Sequence, residues 1–83
     1  MRTWFMRIIE VSNEDVPMYM VEGMEVESCG YEDYVSDFDS WGTFYSTTEA
    51  EACLESVLTN YHKARPWSDF AQELYDGSLV GEG

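Results

Sequence analysis

No Lys or Arg stands between Arg7 and Lys63, a stretch that carries most of the chain's seventeen Asp and Glu residues. That absence constrains the fold more than any motif does. A buried carboxylate without a cation is too costly to keep, so these acids must line surfaces that face water or a partner. The apolar residues must then be sorted to the other sides of the same elements. They are numerous enough to do so, because 45% of the 83 residues are hydrophobic, an ordinary globular share that excludes a disordered acidic tail despite the formal charge of −13. The length suits one domain with a modest core.

The N-terminal run predicts a strand over Thr3 to Val11, with Trp4, Met6 and Ile8 on one face and Phe5, Arg7, Ile9 and Val11 on the other. Both faces are largely apolar, which suits a central or well-covered strand, and Arg7 is expected to pair with a carboxylate on a neighbouring strand. Ser12 to Pro17 reads as a turn, so a hairpin follows. In the second strand, Met18 to Glu27, the methionine face meets the core and the face with Tyr19, Val21, Gly23, Glu25 and Glu27 ends wet. Gly23 marks a bulge or a close backbone approach. From Ser28 to Ser40 the period is lost, leaving loop, short helical turn and ragged edge strand as open readings, before Trp41 to Tyr45 resumes as a third strand.

Ser46-Thr47-Thr48-Glu49 forms a capping box, and Ala50, Cys53, Leu54, Val57, Leu58 and Tyr61 recur behind it at helical spacing. The predicted helix runs from Thr47 to Ala64, with Lys63 and Arg65 complementing its C-terminal dipole and Pro66 ending it. A shorter helix is predicted from Trp67 to Asp76, capped by Gly77. The expected architecture is α+β, in the order β-β-β-α-α: a three-stranded, mostly antiparallel sheet with the long helix across one face and the short helix beside it. A two-stranded hairpin on a helical pair is the alternative. Residues 1–77 form the domain and 78–83 a flexible tail.

Motifs for catalysis are weak. His62 is the only histidine, no nucleophile is placed near it by a recognised motif, and no phosphate-cradling loop is present. Asp37-Phe38-Asp39-Ser40-Trp41-Gly42 resembles the start of a calcium loop, but Trp41 occupies the fifth ligand position and Thr48 stands where the bidentate Glu belongs. The reading is therefore a non-enzyme without cofactor or metal, the alternatives being a divalent-metal module or enzyme centred on Asp37 and Asp39, or a structural subunit whose acidity is incidental. Cys29 and Cys53 have no ligand spacing and are expected to be reduced. Arg7 and Glu10 interrupt or follow the N-terminal apolar run, so neither a signal peptide nor a membrane span fits, and a cytoplasmic location is expected.

Carboxylates interleaved with aromatics are the remaining signal, and an acidic surface attracts a basic one rather than nucleic acid or anionic lipid. The candidate partner-binding residues are Glu25, Glu27, Tyr31, Glu32, Asp33, Tyr34, Asp37, Asp39 and Trp41, with Glu51 and Glu55 one turn apart on the long helix. The expected partner is a basic protein surface that itself binds nucleic acid, met by a monomer or a dimer. In length, acidity and a strand-strand-strand-helix order closing through FYSTTEAEACLESVL, the chain resembles the small phage-encoded anti-defence proteins, anti-CRISPR proteins and DNA mimics among them. That resemblance implies blockade of a nucleic-acid site on a host effector, in the cytoplasm of the host cell.

Overall fold

The fold is known from a computed structural model that describes residues 1–81. Three strands, β1 (Arg2–Glu10), β2 (Tyr19–Cys29) and β3 (Glu32–Phe44), are followed by helix α1 (Thr47–Asn60), a short strand β4 (Ala64–Pro66) and helix α2 (Asp69–Gly81). The sheet is mixed and four-stranded, in the order β3-β2-β1-β4, with β1–β2 and β2–β3 antiparallel and β4 parallel to β1. The predicted three-stranded sheet and β-β-β-α-α order are thus corrected to four strands and β-β-β-α-β-α. The missed strand is three residues long and contains Pro66, so neither alternation nor propensity could reveal it. It is held by backbone hydrogen bonds at both ends, Trp4 N–H to Lys63 O and Trp67 N–H to Met6 O, each 2.9 Å.

The two helices cover opposite faces of the sheet. Met6, Val21, Ala50 and Ala64 are buried on the α1 side, under Leu54, Val57 and Leu58. Met24, Val26 and Ala71 are buried on the α2 side, with Phe5, Trp67 and Tyr75 around them. This corrects the placement of the second helix beside the first, and it explains why both faces of β1 are apolar: β1 is an inner strand of a covered sheet. The face of β2 that bears Tyr19, Val21 and Gly23 is likewise not wet; only its far end, at Glu25 and Glu27, passes beyond the core.

Helix α1 starts as its sequence dictates, with the Ser46 hydroxyl accepting from the amides of Thr48 (3.1 Å) and Glu49 (3.4 Å). It stops at Asn60, short of the predicted Ala64, because Lys63 and Ala64 turn into β4, so neither Lys63 nor Arg65 lies in the helix. Helix α2 continues through Gly77 to Gly81, past the predicted cap. Of the expected tail, Glu82 and Gly83 lie outside the described residues.

Candidate partner-binding surface

The aperiodic stretch proves to be one long edge strand. β3 runs continuously from Glu32 to Phe44 and carries two register shifts against β2, between the partners of Val21 and Glu22 and between those of Glu25 and Val26. Each shift inserts a residue on β3, at Trp41 and at Ser36, which is why alternation cannot be read there. Gly30, with φ of 68°, makes the turn between β2 and β3 and leaves Tyr31 at the tip, 99% exposed.

The register gathers the acids. Glu25 lies opposite Asp37, Gly23 opposite Asp39, Glu27 opposite Tyr34 and Cys29 opposite Glu32, and opposed residues share a face. Glu25, Glu27, Glu32, Asp37 and Asp39 therefore form two adjacent rows on the α1 side of the sheet, with Tyr34 among them. Within a row, alternate residues stand roughly 6.5 Å apart, and the rows lie about 4.8 Å apart. Asp37, Asp39 and Glu32 are exposed, and Glu25 and Glu27 half-buried. Glu25 facing Asp37 is a like-charge pair that weakens the sheet, relieved in part by the Ser36 hydroxyl, which donates to Glu25 Oε1 at 2.7 Å. One cation reaches this face: Arg2 Nε stands 3.6 Å from Glu27 Oε2. The negative charge of Glu27 raises the Tyr34 phenol above its ordinary value, with desolvation acting in the same direction.

Asp37 and Asp39 also serve the strand itself. Asp37 Oδ1 accepts from the Phe38 amide and Asp39 Oδ1 from the Ser40 amide, each at 2.8 Å. These bonds occupy donors of an edge strand that would otherwise be open to another chain, a common way of blunting an edge. Among the described residues no group of three or more His, Cys, Asp and Glu side chains is arranged to hold a metal ion.

Other predicted site residues are placed elsewhere. Asp33 is exposed on the opposite face, where it accepts a hydrogen bond from the Ser28 hydroxyl, and with Glu73 it borders a hollow of about 290 Å³ between β3 and α2. Glu51 and Glu55 are exposed on α1. Trp41 is partly buried: its ring meets Trp4 edge-on at 5.1 Å between centroids and packs against the α1-side core. Gly23 makes room for it, since a Cβ there would collide with the Trp41 ring and come within 2.9 Å of Met6 Sδ.

On the other face Arg7 donates from Nε and Nη2 to Glu22 Oε1, at 3.1 and 3.0 Å, as the pairing expected of it requires. Its guanidinium also lies 4.0 Å from the Trp67 ring centroid and 4.7 Å from that of Tyr75, so this cation belongs to the packing of α2. Both cysteines are free thiols. No helix among the described residues is long and apolar enough to cross a membrane.

The sequence reading missed one cluster altogether. Arg2, His62, Lys63 and Arg65, together with Met1 and Thr3, line a recess of about 280 Å³ where β1 and β4 begin. Only the parallel pairing of β4 with β1 unites them, and the lone signal in the sequence was the return of cations at Lys63 and Arg65. The chain matches no protein-family model, no curated protein and no solved structure with which it was compared.

Proposed function

We propose that this chain is a non-catalytic acidic binding protein that occupies the basic, nucleic-acid-binding surface of another protein, its β2–β3 carboxylate face standing in for a phosphate backbone. The observation that carries the reading is the collection of Glu25, Glu27, Glu32, Asp37 and Asp39 on one face of two adjacent strands. Such a face costs the isolated fold stability, and its charges repeat at intervals of a few ångströms, as those of a nucleic-acid backbone do. Tyr34 within the rows and Tyr31 at the hairpin tip supply aromatic surface on which arginine side chains stack. Several of the small phage anti-defence proteins that the sequence resembles in general layout act in this way, with an effector of the host as the target.

The test compares the wild-type chain with a variant in which Glu25, Glu27, Asp37 and Asp39 are all replaced by Lys, each immobilised and exposed to lysate of the native host cell. The wild type is expected to retain nucleic-acid-binding proteins that are released by duplex DNA or RNA and by rising salt, and the variant, with unchanged far-ultraviolet circular dichroism, to retain none of them. Partners that bind both chains equally, or that resist displacement by nucleic acid, would sink the mimicry reading.

A further inference from the structure

Against a net charge of −13, three of the four Lys and Arg residues, Arg2, Lys63 and Arg65, converge with the sole histidine on one recess. Chance would scatter so few cations among so many acids. Lys63 and Arg65 form no ion pair among the described residues, although carboxylates abound. Arg65 is nonetheless held in place: its Nη1 donates to His62 O at 2.7 Å and to Ala64 O at 2.8 Å, which leaves Nε and Nη2 without a protein partner among the described residues. The backbone that carries these side chains is fixed as well, by Trp4 N–H to Lys63 O and Ala64 N–H to Tyr61 O, both 2.9 Å.

We propose that this recess is a binding site for the phosphate group of a small molecule. A guanidinium presenting paired donors beside an ammonium point charge is the combination that suits a phosphate dianion. The volume of about 280 Å³ lies just below the usual range for small-molecule sites. Size and field together select the class of ligand. A polyanion that extended beyond the recess would meet Glu27, which stands beside Arg2, and the field of a chain with a net charge of −13. A single phosphate group meets only the local cations. The recess lies at the β1–β4 end of the sheet and touches the partner-binding face only through Arg2, which is also the partner of Glu27.

Titration of the full chain with inorganic phosphate and, separately, with a sugar phosphate tests this, at constant ionic strength and with amide chemical shifts as the readout. Saturable shifts confined to residues 1–4 and 62–66 are expected. Tighter binding of the ester assigns the recess to a phosphorylated metabolite, and tighter binding of the free ion assigns it to phosphate itself; either supports an oxyanion site. Lys63→Gln, at a side chain that makes no hydrogen bond among the described residues, should weaken binding about tenfold or more with the spectrum otherwise unchanged, the loss expected for one charge-assisted contact. Arg65→Gln should do the same if β4 stays paired, and Lys63→Gln remains decisive if it does not. Absence of localised saturable shifts with both probes, or equal affinity in Lys63→Gln, overturns the proposal.

Discussion

Replacing Gly23 by Ala tests how Trp41 is held. The added Cβ would collide with the Trp41 ring and lie 2.9 Å from Met6 Sδ and 3.1 Å from Trp4 Cε3, so two indoles and a buried methionine must give way together. Met6 is 1% exposed and flexible, but the rings are rigid and pack edge-on against each other. Overpacking of this kind costs roughly 1–3 kcal/mol. The backbone does not add to it, because Gly30 and Gly42, not Gly23, have positive φ. Removing glycine's freedom from the unfolded chain returns about 0.4–1 kcal/mol. The net loss is therefore on the order of 1–2 kcal/mol, which for a domain of this length lowers Tm by roughly 5–15 °C. Thermal unfolding followed by circular dichroism measures it, and the near-ultraviolet signal of the Trp4–Trp41 pair should change in the same variant. In a Trp41→Val background the Ala substitution should cost far less, because the colliding ring is gone. A Gly23→Ala protein that melts within about 2 °C of wild type, or whose penalty is the same in the Trp41→Val background, would refute the close approach and with it the assignment of Trp41 to the core.

Further outcomes follow from the charged groups. Arg7→Ala leaves Glu22 unpaired at 17% side-chain exposure and removes the cation from two aromatic rings, so urea unfolding should show a loss of about 2–3 kcal/mol, below the range for a fully buried pair. Arg2→Ala, at a pair exposed 57% and 29%, should change stability little. Tyr34 titrates above its ordinary value of 10.0 because of Glu27. A neutral group whose folded value is raised favours the fold below the unfolded value and loses that preference as pH rises through the folded one, so stability should decline above about pH 10. In a spectrophotometric phenolate titration, Tyr34→Phe should remove the high-pH portion, and Glu27→Gln should move it down toward 10.0.

Where one physical rule governs a segment, its sequence was readable. β1 alternates, with Trp4, Met6 and Ile8 packed on one side of the sheet and Phe5 on the other, whereas β2 is covered on both, the Met24 and Val26 face as expected and the Val21 and Gly23 face against expectation. Ser46 caps α1, and Arg7 finds its carboxylate on the next strand. The failures have separate causes. β3 hides because its two bulges break the period and its acids have poor strand propensity, a penalty that an exposed edge tolerates. β4 hides because three residues ending in proline give no pattern, and its absence left Lys63 and Arg65 to be read as helix-end cations. The side chosen by α2 is settled by Phe5, Met24 and Val26 needing cover, a tertiary demand to which both apolar faces of β1 already pointed. Of the proposed surface, Glu25 and Glu27 followed from alternation alone. The register of β3 alone puts Asp37 and Asp39 beside them and Asp33 on the opposite face, while Trp41, on the same side, is drawn into packing against Trp4.

That same topology separates the two candidate sites in time. The carboxylate face belongs to one hairpin, β2 and β3, whose partners are close in sequence, and local hairpins close in microseconds. The basic recess needs β4 to reach β1 across some sixty residues, as in the pairing of Trp4 with Ala64, a long loop whose entropy must be lost before any contact compensates. As the chain leaves the ribosome, the strands of the acidic surface are synthesised before residues 63–67, and until those emerge β1 keeps an open edge. The cations assemble only when residues 63–67 have emerged and β4 has zipped onto that edge. In a nascent or truncated chain lacking β4, the residues of the acidic surface are present while Lys63 and Arg65 are not in place beside Arg2.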